Sequence, residues 1–392
     1  NLTGETLKKQ ARKWELSQVI EPSAANGLIY ASELVSSKEW KNRIAPYAFV
    51  ILGAGAALSP TLTLLEIGAT VVGIDLPGRG HMWSKLMGKA AIGKGELIVP
   101  TTEGKGELTM RAGCDLLRDA PEIADWISTV CPNKTLVIGT YAYMDASDFV
   151  RIAIAMDAIA ENVLKKRPNS ILASLATPTD IYLRPEATRL AAKRRFNTRP
   201  GWFRLVNRIS RGKMLAPNAE GIVLEGKLAG MDIVNGVVHQ QGPNYMLAKR
   251  LQQWRALVAR SEGTRVSINV APASRTISVV KNRLLRAAYA GVDFFPPFEV
   301  FEAETTSSVM AAGLIRDIFD DQSASNPKLD LKTPLALLTD NACHGGAWSA
   351  GVTLRSASVI AAVVGFSKEY NVLPIAAAAG VGAVVLKLRS RL

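Results

Sequence analysis

Apolar runs that end in glycine or proline turns alternate with stretches of helical periodicity along much of the chain. From Ala48, "AFVILGAG" predicts a strand entering a tight turn, "TLTLLEIGA" predicts a helix, and "TVVGIDLP" predicts a second strand. Strand, turn, helix and strand in this order form the βαβ unit of a parallel sheet. This part of the chain therefore predicts an α/β protein.

The same alternation continues towards the C-terminus. Strands are predicted at residues 134–143, 170–178, 264–272 and 334–340, and helices at 146–166, at 241–254 and near 304–320. Elements in this order favour a Rossmann-type, doubly wound parallel sheet. We expect one main domain, residues 47–350.

Three segments depart from the alternation. Residues 1–46 are polar with scattered Trp and Lys, and they predict a helical N-terminal arm. Residues 184–240 are long and basic, which indicates an insertion into the main domain. Residues 351–392 form an apolar tail in which 357–388 is the most hydrophobic part.

The tail has two interpretations. A helix that spans a bilayer needs about 20 apolar residues, and the second apolar run of the tail, 372–388, lies near the lower limit and contains Pro374, Gly380 and Gly382. It therefore predicts either contact with a membrane or packing on a partner protein.

The charge of the chain is unevenly distributed. Its 392 residues include 47 Lys and Arg against 34 Asp and Glu, a formal charge of +13. Ten of the basic residues lie between Arg184 and Lys213, where Glu186 is the single acid. Such a run suits an anionic partner, which includes lipid headgroups, an acidic protein subunit or a phosphorylated ligand, or it forms a solvated helix face.

Two further partners are disfavoured by the residue types. Only Phe196, Trp202 and Phe203 accompany the basic run as aromatic residues, so nucleic-acid binding, which uses interleaved stacking rings, is the least favoured interpretation. The three cysteines have no paired or ligand-like spacing, and neither a disulfide framework nor a metal site is predicted. An intracellular location is expected, with association with an organelle membrane as an alternative.

The turn after the first strand has the features of a nucleotide site. Gly53 and Gly55 lie between a strand and a helix, where backbone N–H groups and the positive end of the helix can face a diphosphate. Ser59 either caps that helix or contacts the diphosphate. Asp75 closes the second strand, where a carboxylate accepts hydrogen bonds from a ribose and repels a 2′-phosphate. NAD is therefore favoured, although Arg79 would also admit NADP.

A tyrosine and a lysine share one face of the helix predicted at 241–254. Tyr245 lies four residues before Lys249, which is one helical turn. A nearby ammonium lowers the pKa of a phenol and can also hold the ribose of a nicotinamide cofactor. The pair is therefore a candidate for acid–base catalysis.

These motifs resemble those of the short-chain dehydrogenase/reductase family, from Ala48 to Trp348 and in the family's order. "LGAGAALS" is similar to the glycine-rich turn, "YMLAK" to the Tyr-x-x-x-Lys motif, and "LLTDNACHGG" to the last strand. By the same resemblance, Asp115 would lie near adenine and Pro272 would border the nicotinamide. The resemblance implies an NAD(P)-dependent oxidoreductase that acts on a small-molecule carbonyl or alcohol.

The chain also departs from the family pattern. Ala57, Leu58 and Ser59 occupy the region of the third glycine, and Asp232 stands 13 residues before Tyr245, where the family has its catalytic serine. Strand order instead offers Ser174 or Thr177 for this role, and we prefer Ser174.

These departures, together with the arm, the basic insertion and the tail, support a second hypothesis. The protein would then be an accessory or structural subunit of a larger, membrane-associated complex, with little or no catalysis.

Overall fold

Buried apolar strands form a six-stranded parallel sheet at the centre of the protein. The computed structural model describes residues 4–238 and 241–370. The order of strands in the sheet is β3-β2-β1-β4-β5-β8. These strands are β1 (Tyr47–Leu52), β2 (Thr70–Ile74), β3 (Glu96–Ile98), β4 (Thr135–Thr140), β5 (Ile171–Ala176) and β8 (Val266–Val270). The prediction of a Rossmann-type doubly wound sheet is confirmed.

Alternate residues of each strand face opposite layers of helices. Val50 of β1 pairs with Val72 and Ile138 of its two neighbours, and all three belong to one apolar cluster. Phe49 and Ile51 point to the other face and belong to a second cluster. Because both faces are covered, the inner strands are continuous apolar runs, and the sequence revealed them for this reason.

Helices cover both faces of the sheet. The first layer contains α7 (Ala120–Thr129), α8 (Ser147–Lys166) and α11 (Gly242–Ser261). The second contains α3 (Trp40–Ile44), α4 (Thr61–Glu66), α5 (Gly80–Ile92) and α14 (Ala303–Phe319). The remaining helices are α1 (Gly4–Leu16), α2 (Pro22–Ser36), α6 (Leu108–Arg111), α9 (Glu186–Asn197), α10 (Gly201–Ile209), α12 (Ile277–Lys281), α13 (Arg283–Gly291) and α15 (Leu354–Glu369).

The strand order reverses between β1 and β4. In an open parallel sheet, such a reversal leaves a crevice at the carboxyl ends of the two strands, where ligands bind. The candidate residues of the glycine turn and of the Tyr–Lys helix all belong to elements that meet at this edge.

The last predicted strand was wrong. Residues 334–340 were expected to extend the sheet, but Pro334–Leu338 forms a 3₁₀-helix that buries Leu337 and Leu338. Pro334 lacks the N–H that a strand inside a ladder must donate. A short apolar run is compatible with either structure, and here the proline decides it.

The N-terminal arm forms three helices that pack on the main domain. The indole of Trp14 stacks on Phe301, with 4.8 Å between ring centroids. The buried carboxylate of Glu21 accepts a hydrogen bond from the Thr188 hydroxyl at 2.7 Å and lies 3.3 Å from Nε2 of His344. These contacts join the arm to both the insertion and the C-terminal part of the domain.

The basic insertion has its own internal structure. Strand β6 (Ile181–Arg184) pairs antiparallel with β7 (Asp232–Asn235). Arg184 is fully buried, donates to the carboxylate of Asp232, and also donates to the carbonyl oxygens of Asn218 and Trp348. Arg184 therefore does not contribute to a basic surface, which was the expectation for 184–213.

The first half of the predicted tail is part of the folded body. Helix α15 packs along α13, and a Cβ on Gly365 would collide with the carbonyl group of Ala287. Within the described residues, no helix is long and apolar enough to cross a membrane. Residues 372–388, for which membrane contact was predicted, lie outside the described residues.

Two short strands complete the description of the fold. Strand β9 (Ser274–Arg275) pairs in parallel with β10 (Phe301–Glu302) beyond the carboxyl end of β8.

Helix α14 carries a buried carboxylate. Asp317 of α14 accepts hydrogen bonds from the hydroxyls of Ser267 and Ser323 and from the amide of Asn269.

Burial raises the pKa of Asp317 to about 6. A carboxyl group whose pKa is raised by folding stabilises the folded state at pH values below its ordinary pKa. This contribution is lost as the pH rises through about 6. We expect Asp317→Asn to remove a pH dependence on the order of 3 kcal/mol between about pH 4 and pH 7. Urea unfolding at several pH values measures it. The exposed Asp330→Asn is the control and should keep the wild-type pH profile.

Candidate active site

The glycine turn lies directly against the segment that follows β4. Gly53 has a φ of 93°, and a Cβ at this position would collide with the backbone of Ala142. Only glycine satisfies both constraints. The turn and the β4–α8 connection therefore form the two closely spaced walls of the crevice.

Asp75 fixes the turn from the end of β2. One carboxylate oxygen accepts the N–H of Gly55 at 2.8 Å and the other accepts the N–H of Leu76 at 2.8 Å. Each oxygen can accept a further hydrogen bond, so the carboxylate remains able to bind a hydroxyl pair. The side chain of Met82 packs against the open side of Gly55.

Most amides of the turn already have acceptors. Gly53 and Ala54 donate to the carbonyl of Ile74, Gly55 donates to Asp75, and Ala56 and Ser59 donate to carbonyls within the turn. Among the described residues, the N–H groups of Ala57 and Leu58 have no acceptor. These two amides are the donors that the turn can offer to a ligand.

Three predicted cofactor contacts have other partners. The hydroxyl of Ser59 is buried and hydrogen-bonds the Thr61 hydroxyl at 2.7 Å, which places it at the start of α4. Asp115 accepts the N–H of Leu117 at 2.9 Å in the turn before α7. Pro272 directly follows β8 and accepts a hydrogen bond from Ser274 through its carbonyl oxygen. Ser59 also accepts the N–H of Thr61 at 3.3 Å, but Pro60 is the N-cap of α4 and no side chain caps this helix.

Tyr245 lies on α11 among aromatic side chains at the edge of the sheet. Its ring is 5.5 Å from Phe149 and 6.4 Å from Tyr143. Burial raises the pKa of Tyr245, the nearby Thr177 hydroxyl lowers it, and the charge of Asp180 raises it. The expectation that Lys249 makes this phenol more acidic is not met, because burial dominates.

Lys249 joins α11 to the ends of two strands. Its Nζ donates to the carbonyl of Leu175 on β5 at 2.8 Å and to the Gln252 side chain at 3.0 Å. The amide of Gln252 in turn donates to the carbonyl of Thr140 on β4 at 3.1 Å. Burial lowers the pKa of Lys249 to about 8.

The two candidate hydroxyls occupy different environments. Thr177 lies just beyond the end of β5, and its hydroxyl hydrogen-bonds the Thr179 hydroxyl at 2.7 Å. Ser174 is buried within β5, lines a void of about 10 Å³ with Asp157 and other residues, and has no hydrogen-bond partner among the described residues. This geometry favours Thr177 for contact with a ligand at the strand end, and the choice between the two hydroxyls stays a prediction.

Asp180 is a residue that sequence reasoning missed. Its buried carboxylate accepts hydrogen bonds from Arg250 at 2.5 Å and from Gln253 at 2.9 Å, both on α11. It is close enough to Tyr245 to raise the pKa of the phenol. A single acid in the segment "TPTD", directly after a buried strand, was the available signal.

The N-terminal arm also reaches the edge where the site lies. A third apolar cluster combines residues of α1 and α2 with Leu175 and Ala271, which lie at the carboxyl ends of β5 and β8. Leu58 of the glycine turn and Tyr141, at the end of β4, pack against this cluster. The arm therefore covers one side of the crevice.

In the described ranges there is no group of three or more His, Cys, Asp or Glu side chains that could hold a metal ion.

The environments of the two hydroxyls predict different effects of removing them. We expect Thr177→Val to lower the free energy of unfolding by about 1–2 kcal/mol, because it removes the buried hydrogen bonds of its hydroxyl with the hydroxyl and the N–H of Thr179. Ser174→Ala should change it by less than about 1 kcal/mol, since this hydroxyl has no protein partner. Chemical denaturation measures both variants. Equal losses would contradict the distinction.

Comparison with protein-family models and with curated proteins gives no match. Several solved structures are similar at low identity. Levodione reductase is 14% identical, with a TM-score of 0.44, over 73% of this chain and 95% of that one. A short-chain type dehydrogenase/reductase from Mycobacterium marinum is 11% identical, with a TM-score of 0.42, over 77% and 96%.

A third similar structure contains a cofactor. A short-chain dehydrogenase from Sphingobium yanoikuyae in complex with NADPH is 12% identical, with a TM-score of 0.37, over 69% of this chain and 85% of that one. These similarities are remote. The description of the chain as a Rossmann-type protein therefore rests on its own strand order.

Proposed function

We propose that the protein is an NAD(P)-dependent oxidoreductase of the short-chain dehydrogenase/reductase type, acting on a small-molecule carbonyl or alcohol. One observation carries the proposal. Lys249 of α11 donates to the carbonyl of Leu175 at the carboxyl end of β5, and the phenol of Tyr245, one helical turn earlier, lies near the Thr177 hydroxyl just beyond that strand end. A phenol, a hydroxyl and an ammonium at a strand end are the groups that this chemistry requires.

The residues around the glycine turn suit the adenosine half of a dinucleotide. The free amides of Ala57 and Leu58 are donors for a diphosphate, and Asp75 has acceptor capacity for a ribose diol. A carboxylate here disfavours a 2′-phosphate, so NAD is preferred to NADP. When bound, the nicotinamide supplies or accepts a hydride at the carbon that bears the substrate oxygen.

The protein's own groups handle the proton and the substrate oxygen. Because burial raises its pKa, Tyr245 keeps its proton at neutral pH and can donate it to a carbonyl oxygen that is being reduced. Thr177, close to the phenol, would hold the substrate oxygen. Lys249 is positively charged below about pH 8 and would hold the nicotinamide ribose.

A second candidate function is supported by a different observation. The third apolar cluster, which joins the arm to Leu175 at the end of β5, packs against Leu58 of the glycine turn and Tyr141 at the end of β4, and these residues border the crevice. If the arm closes the crevice permanently, the protein would be a Rossmann-type scaffold and would act as an accessory subunit. Titration of the purified protein with NADH and NADPH, followed by cofactor fluorescence, separates the two. Absence of binding would favour the scaffold.

The main proposal predicts the effect of removing one oxygen atom. Tyr245→Phe should lower turnover at least about 100-fold, because acid–base catalysis contributes roughly 10²–10⁴-fold. Dinucleotide affinity should stay within about twofold, since the ring is retained. The control is Tyr143→Phe, whose hydroxyl bonds Asp145 instead, and it should keep turnover. Unchanged turnover in Tyr245→Phe would contradict the proposal.

The charge of Lys249 predicts a limb in the pH profile. The ammonium is present below about pH 8 and is lost as the pH rises through that value, so the rate of carbonyl reduction should fall there. Lys249→Met should show a low rate without this limb. The measurement is the pH dependence of kcat/KM for both forms.

A further inference from the structure

Helix α10 exposes an apolar stripe to solvent. Trp202, Leu205 and Ile209 recur every three or four residues, and their exposed fractions are 40%, 56% and 37%. Residues with this spacing lie on one face of a helix. Phe203 and Ser210 are buried and attach another face of the segment to the domain. The stripe is therefore an outward surface of an anchored helix.

Positive charges flank the stripe. Arg204 and Arg208 lie on α10, and Arg211 and Lys213 follow it, all four exposed. None of them takes part in an ion pair recorded for the described residues, and Arg204 donates only to the carbonyl of Asn197. The charge around the apolar stripe is thus left uncompensated by the protein.

The apolar surface extends to a neighbouring segment. The ring of Phe294, 43% exposed, lies 6.4 Å from Trp202. Next to it, Asp293 pairs with Lys368 of α15 at 2.7 Å, close to the last described residue, Tyr370. The chain continues from this side of the molecule with the run "VLPIAAAAGVGAVVLKL".

We propose that this surface docks on an anionic lipid membrane. Trp202, Leu205, Ile209 and Phe294 would enter the interfacial layer, and the surrounding arginines would meet headgroup phosphates. Apolar and aromatic residues on one side of a short helix, with Arg and Lys beside them, are the pattern of helices that lie in the plane of a bilayer surface.

The composition of the stripe distinguishes lipid from other anionic partners. Nucleic acid would meet the arginines through phosphates, but it offers stacking bases to aromatic rings and no apolar layer for Leu205 and Ile209. An acidic protein would satisfy the charges, and it is one of the alternatives that the experiment separates.

The test is co-sedimentation of the full-length protein with vesicles. One set contains phosphatidylcholine with about 30% phosphatidylserine, and the other contains phosphatidylcholine alone. We expect binding to the anionic set that weakens steeply with salt, because screening weakens attraction between exposed charges and the surface. Leu205→Glu and the double variant Arg204→Glu/Arg208→Glu should each bind at least about 10-fold more weakly.

Two controls make the outcome decisive. Arg151→Glu, an exposed reversal of charge on α8, should bind as the wild type does. Thermal unfolding of every variant should match the wild type, because the altered side chains are exposed. The apolar run after residue 370 is retained in all forms, so a difference between them reports on α10.

Several results would overturn the proposal. Equal binding by the α10 variants and the wild type would assign any membrane contact to another part of the chain. Equal binding to both vesicle sets would remove the role of charge. Failure to bind vesicles, together with α10-dependent binding to polyglutamate or to an RNA oligonucleotide, would assign the surface to an acidic protein or to nucleic acid.

Discussion

The ammonium of Lys249 holds helix α11 against the carboxyl ends of β4 and β5. It donates to the backbone of β5 directly and reaches β4 through Gln252. The position of Tyr245 depends on this attachment, because the phenol lies one turn earlier on the same helix. Asp180 adds a second attachment through Arg250 and Gln253. A desolvated lysine is costly unless it is paired with acceptors, so these hydrogen bonds are a condition for the site to exist.

The same attachment has a chemical consequence. Taking an ammonium out of water lowers its pKa, and taking a phenol out of water raises its pKa. In water the two pKa values nearly coincide, at about 10 for a phenol and about 10.4 for an ammonium, so the two effects move the proton affinities of Lys249 and Tyr245 apart. As the pH rises, the lysine therefore loses its proton before the tyrosine does. The burial of the helix face therefore matters as much as the spacing of the two residues.

The sequence was sufficient to predict the central sheet, but it was not sufficient to assign the residues at the carboxyl edge of that sheet. Strands such as β1 and β5 are buried on both faces, so their apolar runs are readable without tertiary information. The choice between Ser174 and Thr177 depends on which way a side chain points at the end of a strand, and spacing alone does not contain that. Asp180 could not be assigned because its partners lie about 70 residues away, on α11.

The arm raised a further problem that no local pattern could solve. Its polar composition predicted a helical extension, whereas Trp14 and Glu21 attach it to distant parts of the domain. Such contacts are determined by the complete fold, because the residues that receive the arm come from the far end of the chain. Composition therefore predicted that the arm is helical, but it did not predict where the arm docks on the domain.

The close crossing of α13 and α15 has one more consequence. Gly291 and Gly365 allow the two backbones to approach so closely that a side chain on either glycine would collide with the opposite helix. A crossing of this kind resists rotation and sliding, since each helix lies in a groove made by the other. The final described helix is therefore held closely against α13.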